Sequence, residues 1–496
     1  MKRLFPIFIL CGLLASANAQ QVYFNNRYDY NESAEVIWSV LESESGYICA
    51  VGTGKILLLS LDTLGNKVWE KPFGKPNETY FAGTSGSLVP TFDGGYALGG
   101  SVDDSTGNNQ ALLVKFDATG DTVWTKRYGG AGFDTFRQCK QTPDSGFILI
   151  GATSSGGGDI LLIKTDSLGN LQWQRTYGGS GNESGLTVDL TIDNEYILGG
   201  YTNSFGAGGF DTYVINVNDT GGFKWSKTYG STEDDNAANI IQTSDSNYII
   251  STARYHSNIF STNDRKQIEV IKIDTSGTVI WDKTYGPARF AAGPNDIYEL
   301  SDGSFIISGQ INDASSVLGQ PEGMLLKISA QGDSLWWRTY ELFPGPSSQN
   351  YLRNVQPTLD GGFIAAGFAL PVSPDTGTQD MWVLKLDSCG CAYVGCDSAC
   401  QELVGIEETT TPASLTLKIY PNPASGMATV RIPNEEQGIK NYQLSIYNIT
   451  GKQVKRYAMQ NQPTLTINTK ELGSGLYFLR LKQEGRMLGS GKLVVE

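Results

Sequence analysis

Apolar residues in this chain come in short runs, and the turns between them are written in Gly and Asp. Over Asp93–Gly130 the order is an apolar run (YALGG), a polar loop, a second run (ALLVKF), an Asp-x-x-Gly turn, and a run ending Trp-x-x-x-Tyr-Gly. Runs of this length bounded by such turns are strand signals. The pattern predicts an inner strand near Phe81–Thr91, then strands over Gly95–Ser101, Gln110–Asp117 and Asp121–Tyr128. The third strand (ALLVKF here, ILLIKT, EVIKI and MWVLKL elsewhere) is apolar on both faces, which suits a sheet covered on both sides. Helix signals are almost absent, which sets aside a helical solenoid or an α/β barrel.

The same order returns along the chain. The aromatic that opens the second strand stands at Tyr47, Tyr96, Phe147, Tyr196, Tyr248, Phe305 and Phe363, at spacings of 49, 51, 49, 52, 57 and 58. Trp recurs at Trp69, Trp124, Trp173, Trp225, Trp281 and Trp336, each followed four residues later by Phe or Tyr. There are thus seven strand openings but six Trp strands. Phe24-Asn-Asn-Arg-Tyr28, ahead of the first unit, carries the missing aromatic-x-x-x-Tyr spacing. An N-terminal strand can therefore complete the last blade, and a closed ring has no exposed edge. The expected fold is all-β: a seven-bladed β-propeller over 20–388 closed by its N-terminal strand, then a small C-terminal β-sandwich.

The ends differ from the middle. Residues 1–19 read as a signal peptide, with Lys2 and Arg3, an apolar Leu4–Leu14, and Ala17-Asn18-Ala19 as the cleavage site. No later run has the roughly 18 apolar residues of a membrane helix. Residues 389–414 hold Cys389, Cys391, Cys396 and Cys400 and then a Thr- and Pro-containing linker. In an exported chain such a cluster points to disulfides, either 389–396 with 391–400 or 389–400 with 391–396. Cys49 and Cys139 fall in strands and read as buried, unpaired thiols. Residues 415–496 carry 11 Lys and Arg against 5 Asp and Glu, in a chain whose total charge is −14. That contrast marks a domain boundary, and the acidic total argues against a nucleic-acid partner.

The last 82 residues resemble the C-terminal sorting domain of the type IX secretion system. The motifs are Tyr420-Pro-Asn-Pro423, Ile446-Tyr-Asn-Ile-Thr-Gly-Lys452, Leu472-Gly-Ser-Gly-Leu-Tyr-Phe478 and Gly491-Lys-Leu-Val-Val-Glu496. Asn448 stands where the family usually has Asp, with the same turn chemistry. The resemblance implies the type IX machinery as a partner, export across an outer membrane, and a secreted or cell-surface address after this domain is cleaved. The repeats look like exported bacterial propeller units. They are also similar to the tryptophan-docking repeats of quinoprotein dehydrogenases, but Asp117–Trp124 is one residue short between Asp and Gly.

Candidate chemistry is sparse. One Trp per blade at one strand position reads as blade-on-blade docking rather than a sugar-binding ring. Lys115, Lys164, Lys272, Lys327 and Lys385 are expected to pair with the Asp usually found two residues on. His256 is the only histidine and sits in a polar loop, so no multi-His metal site is available. The acidic loops Ser231–Asp235 and Val102–Asp104 leave calcium as the one conceivable ion, without an EF-hand spacing, and no other cofactor is expected. No catalytic constellation is visible, and the expectation is a non-enzymatic scaffold binding a surface glycan or an extracellular protein. The alternative is an extracellular hydrolase or lyase using carboxylates near the ring centre. Connections between second and third strands vary most, from Gly54 alone to Arg254–Lys266, which points to that face for ligand. Phe205, Tyr255, Phe260 and Arg265 are the expected contacts.

Overall fold

The computed structural model describes residues 23–392 and 415–495, apart from 31–33, 105, 131, 155–156, 236–238, 256–265, 287–290, 314–319, 344–347 and 372–377 in the first stretch and 421, 423, 432–441, 448–452, 460–463, 473–474 and 484–485 in the second. The chain divides into two compact units, Met1–Gly405 and Ile406–Glu496. Both are all-β among the described residues, save one short 3-10 turn at Thr469–Glu471.

The first unit is a propeller-like succession of antiparallel sheets, each wound strand by strand in sequence order. The third sheet shows the plan with Asp134–Gln141, Phe147–Thr153, Asp159–Thr165 and Leu171–Tyr177. The first sheet spans Val36–Phe73, the fourth Glu183–Tyr229, the fifth Asn239–Tyr285 and the sixth Ala291–Tyr340. In the second sheet the inner strand expected near Phe81–Thr91 is broken into Thr79–Ala82 and Leu88–Pro90. The break falls at Gly83–Ser87, where backbone bonds run to Gly99 and across to Arg137 of the third sheet. The seventh sheet takes three strands from Gln349–Leu386, and its fourth is Phe24–Tyr28, paired antiparallel with Asp380–Leu386.

Second and third strands are buried on both faces, and each fully buried Leu or Ile there contributes about 1.5–3 kcal/mol. One core cluster spans each successive pair of sheets: Leu58 with Val114, Leu113 with Ile163, Leu162 with Ile215, Val214 with Ile271, Val270 with Leu326, and Leu325 with Leu384. A seventh cluster puts Ile364 and Val383 of the last sheet with Val40 and Leu59 of the first.

The outer strands hold the sheets in order through a second contact. A Cβ built on Gly120 of the second sheet would lie 2.4 Å from the Trp69 ring of the first. Gly169, Gly221, Gly277, Gly332 and Gly390 stand in the same way against Trp124, Trp173, Trp225, Trp281 and Trp336, and Gly65 against Phe24, at 2.8–3.0 Å. These glycines occupy the left-handed region, φ 72–84°, closing a turn that opens with Asp in five sheets, Asn218 before Gly221 and Ser329 before Gly332, so both the conformation and the space demand Gly. The Tyr four residues after each ring donates its hydroxyl to the carbonyl of the same glycine: Tyr128 to Gly169, Tyr177 to Gly221 and Tyr229 to Gly277 at 2.7 Å, and Tyr28 to Gly65 at 2.5 Å. The first sheet has Phe73 at this position and no such bond. Cys389 and Cys391 flank Gly390 in the seventh sheet's own turn, so the repeat extends past residue 388. No complete disulfide lies among the described residues. Cys389 and Cys391 lie at the end of the described stretch, and Cys396 and Cys400 are outside the described residues. Cys49 and Cys139 are buried free thiols.

The third-strand lysines do not pair as expected. Lys115, Lys164, Lys272 and Lys385 reach Asp93, Asp144, Asp245 and Asp360 of the preceding turn at 2.6–3.0 Å, and Lys327 approaches Asp302 at 3.8 Å. The Asp two residues on is already engaged: Asp117 Oδ1 accepts from the N–H groups of Thr119 and Asp121 at 2.9 Å. Antiparallel pairing of Tyr96 with Phe116 brings the other turn beside Lys115.

The second unit has its own core. A five-stranded sheet contributes Leu444, Ile446, Leu479 and Leu493, and a three-stranded sheet contributes Val430 and Ile467. Asn422 of the Tyr-Pro-Asn-Pro motif accepts from Val494 N at 2.7 Å, and Ala424 N donates to Val494 O at 2.8 Å, which ties the motif to the last strand. The Gly451-Lys452 turn lies outside the described residues.

The lysine pairs give a pH prediction. The Thr91 hydroxyl and then Lys115 hold the Asp93 carboxyl down at about 2. At Asp144, Asp245 and Asp360 burial opposes, yet Lys164, Lys272 and Lys385 keep the carboxyls below the usual range. A depressed carboxylate stabilises the fold above its unfolded value near 4 and loses that contribution as pH falls toward its folded value. The unfolding midpoint of the first unit is therefore expected to fall between pH ~4 and ~2, and less steeply in Lys164→Met. Identical acid profiles in calorimetry would contradict this assignment.

Candidate functional site

The innermost strand of each sheet has one backbone edge without a strand partner, and buried N–H groups there need acceptors. A polar residue followed by an apolar one recurs on these strands: Ser39-Val40, Ser87-Leu88, Gln138-Cys139, Thr187-Val188, Asn239-Ile240, Asp296-Ile297 and Asn354-Val355. The polar member reaches the next inner strand. Asn354 Oδ1 accepts from Val40 N at 2.8 Å, Gln138 Oε1 from Val188 N at 2.8 Å, and Thr187 Oγ1 from Ile240 N at 3.1 Å. Asn239 donates to Asn295 O at 2.8 Å, and Asn354 Nδ2 donates to Asp296 Oδ2 at 2.5 Å. These residues were absent from the sequence-derived candidates, although the polar-apolar pair is a readable signal.

Just before that row the inner strands bulge, placing Trp38, Arg137, Leu186, Asn295 and Arg353 as extra residues without partners in the second strand. A bulge re-aims its side chain. Arg353 of the seventh sheet touches groups from both neighbouring sheets: Asn295 Oδ1 at 3.1 Å and the Trp38 ring at 5.1 Å. Tyr351 and Phe368, stacked 4.6 Å apart, complete its surroundings. Burial pushes the Arg353 guanidinium below its ordinary value. The Gly83–Ser87 segment crosses between them, since Ser85 Oγ donates to the Arg353 carbonyl two sheets away.

Beyond the row, Lys140 pairs with Asp189 at 2.6 Å. Burial raises the Asp296 carboxyl to about 7, against hydrogen bonds from Val355 and Ile297 N–H and the charge of Lys140. The Lys140 ammonium feels Asp189, Asp296 and Tyr298, which hold it above its ordinary value despite burial. A second buried acid, Glu269, stands at about 7 through burial and the nearby Asp282, with Arg254 at 2.6 Å opposing.

On the variable side, acids at the start of the inner strands pin the incoming loops. Asp134 accepts from Gly130 N at 2.9 Å, Glu183 from Gly179 N at 2.9 Å and Asp235 from Ser231 N at 2.5 Å. The acidic loop at Ser231–Asp235 thus spends Asp235 on its own backbone, and Asp234 accepts from Phe210 N at 2.8 Å. Among the described residues no three His, Cys, Asp or Glu side chains are placed to hold a metal ion. Of the expected contacts, Phe205 is 45% exposed, with its ring 5.6 Å from Tyr213. Tyr255 ends a strand paired with Lys266, and the side chains of Tyr255, Phe260 and Arg265 fall outside the described residues, as does His256.

Comparison with known proteins bears differently on the two units. Residues 418–496 match the secretion system C-terminal sorting domain, so the second unit is such a domain. Proteins that carry it leave the cell through the type IX system for the surface or the medium, and this chain is exported likewise. No curated protein sequence matches the chain. Solved structures similar to it include an apocarotenoid oxygenase mutant from Synechocystis (12% identity, TM-score 0.40, covering 68% of this chain and 77% of that one). A puromycin hydrolase mutant matches at 12% identity and TM-score 0.45, covering 83% and 62%. The WD40 domain of SCAP from fission yeast matches at 9% identity and TM-score 0.34, covering 69% and 82%. These are similarities at the level of propeller-like β architecture, and no activity passes from them to this chain. They do correct one expectation. Two of the three are enzymes, so a non-enzymatic role does not follow. The single histidine sets aside a multi-His metal site and nothing wider, since a triad or a general base needs only one.

The polar row predicts a cost. Replacing Asn354 by Ala leaves the Val40 N–H without an acceptor and Asp296 without its amide donor, in a fully buried position. The expected loss is about 1–3 kcal/mol in denaturant unfolding. A loss below about 0.5 kcal/mol, the size of an ordinary surface change, would remove the row from the account.

Proposed function

We propose that the first unit, over residues 20–388 and the turn that follows, is a seven-bladed β-propeller closed by its N-terminal strand. Its proposed role is as a surface or secreted scaffold that binds a glycan or protein on the variable-loop side. Closure is supported by the cluster joining Val383 to Val40 and by Phe24 standing on Gly65 as each Trp stands on its glycine. The disulfides of the 389–400 cluster and removal of residues 415–496 after export belong to the same proposal. The observation that carries the binding role is the contrast between the two ends. At one end every turn is short and engaged in docking. At the other, the connections differ in length from sheet to sheet, and Phe205 is left exposed. A second reading, a hydrolase or lyase, is favoured by Asp296: a carboxyl that holds its proton up to about 7 is poised as a general acid.

Closure is tested by Phe24→Ala. Loss of this buried ring should cost about 3–5 kcal/mol for the whole unit in one transition. An unchanged midpoint would leave the N-terminal strand peripheral. The face is tested by pull-down of surface polysaccharide with the full chain. Phe205→Ala should weaken retention at unchanged melting temperature, while Leu168→Ser, at an exposed Asp-x-x-Gly turn, should not. The opposite pattern would place binding on the other end.

A further inference from the structure

Two arginines dominate the inner bulges, and both lack the anion that a cation in such surroundings needs. Arg137 is the extra residue between Phe136 and Gln138, and Arg353 the extra residue between Leu352 and Asn354. Their backbones are held by adjacent residues of one segment: Thr84 N donates to Arg137 O at 2.8 Å, and Ser85 Oγ donates to Arg353 O. Successive Cα atoms are about 3.8 Å apart, so the two arginines leave the wall from neighbouring points.

Among the described residues the other arginines of the unit are provided for. Arg27, Arg127 and Arg254 meet Asp380, Glu78 and Glu269, and Arg175 and Arg338 meet backbone carbonyls. The Arg137 guanidinium has no acceptor among the described residues, and its Nε is buried without a partner. Arg353 has only the neutral Asn295 amide, and its Nε is likewise buried and unpartnered. Three aromatic rings at 5.1–5.4 Å partly compensate Arg353, and none is found at Arg137. Sequestering a cation from water without a counter-charge is costly. A bound anion removes that cost, and the chain's own charge of −14 has not been placed there. Beside them Gln310 accepts from Asn295 at 2.7 Å through Oε1, which leaves its amide N–H groups for a ligand hydroxyl.

We infer that Arg137 and Arg353, with Gln310 alongside, form the subsite for an acidic sugar residue of a polysaccharide. Its carboxylate or sulfate lies between the guanidiniums, and a ring hydroxyl accepts from the Gln310 amide. Guanidinium forks match such oxyanions in two-point geometry, and the adjacent amide separates a polyhydroxylated acid from a bare ion. This deepens the proposed binding role and rests on it.

The test uses the full chain in affinity electrophoresis through gels containing polygalacturonate, chondroitin sulfate, neutral dextran or poly-glutamate. Wild type is expected to be retarded by polygalacturonate, chondroitin sulfate or both, with retardation falling as salt rises, and the comparison separates uronate from sulfate. Arg137→Gln is expected to weaken retardation at least tenfold without lowering the melting temperature, and Arg353→Lys, which keeps the charge, to weaken it less. Retardation by dextran that Arg137→Gln does not alter would overturn the acidic-sugar subsite while leaving a glycan-binding face in place. Preferential retardation by poly-glutamate would overturn the sugar assignment. Failure of every polymer to retard the wild type would overturn both readings.

Discussion

The first unit depends on one repeated contact, an aromatic ring on the outer strand seated against a glycine in the next sheet's last turn. The glycine is required twice over, by a left-handed backbone and by a ring where a Cβ would stand. The Tyr one turn of the pattern later binds the same residue's carbonyl, so ring and hydroxyl read a single position from two sides. The contact explains why the Trp-x-x-x-Tyr and Asp-x-x-Gly signatures travel together: they are the two halves of one joint, carried by consecutive repeats. It also explains how Phe24 and Tyr28 serve without a tryptophan, since the joint needs a flat apolar ring and a hydroxyl rather than an indole.

Much of this was legible in the sequence because period, turn chemistry and strand hydrophobicity are local properties. The docking partners were not, because the spacing fixes which residues recur and not what they touch. The lysines show the limit. Lys115 and Asp117 are two apart on the chain, but Asp117 is bound by its own turn, and antiparallel pairing delivers Asp93 instead. The broken inner strand at Gly83–Ser87 was unreadable for a similar reason, since what interrupts it is the opposing Arg137 and Arg353 carbonyls. The polar-apolar pairs such as Asn354-Val355 were visible as letters. Their meaning required knowing that the inner edge has no further strand to satisfy it.

The two ends of the unit have therefore been shaped by different demands. Turns at the docking end are held by packing, with glycine φ values nearly invariant from sheet to sheet and Asp, Asn or Ser opening each turn. At the other end the carboxylates of Asp134, Glu183 and Asp235 fix the first residues of three loops, and the connections between second and third strands differ in length. The bulges add charged, polar and aromatic groups to the inner strands. An exported scaffold built this way can change its outer contacts without disturbing the joints that hold it.

The pairing of Phe24–Tyr28 with Asp380–Leu386 sets a clock on biosynthesis. Asn25 meets Trp382, whose indole donates to it at 2.6 Å, across 357 residues of chain. At about 5–20 residues per second a ribosome takes roughly 20–70 s to make the partner of a strand that emerged at the start. For that interval the earliest strand has nothing to pair with, and six sheets can form without it. The seventh is completed only when both ends of the repeat region are present on the same side of a membrane.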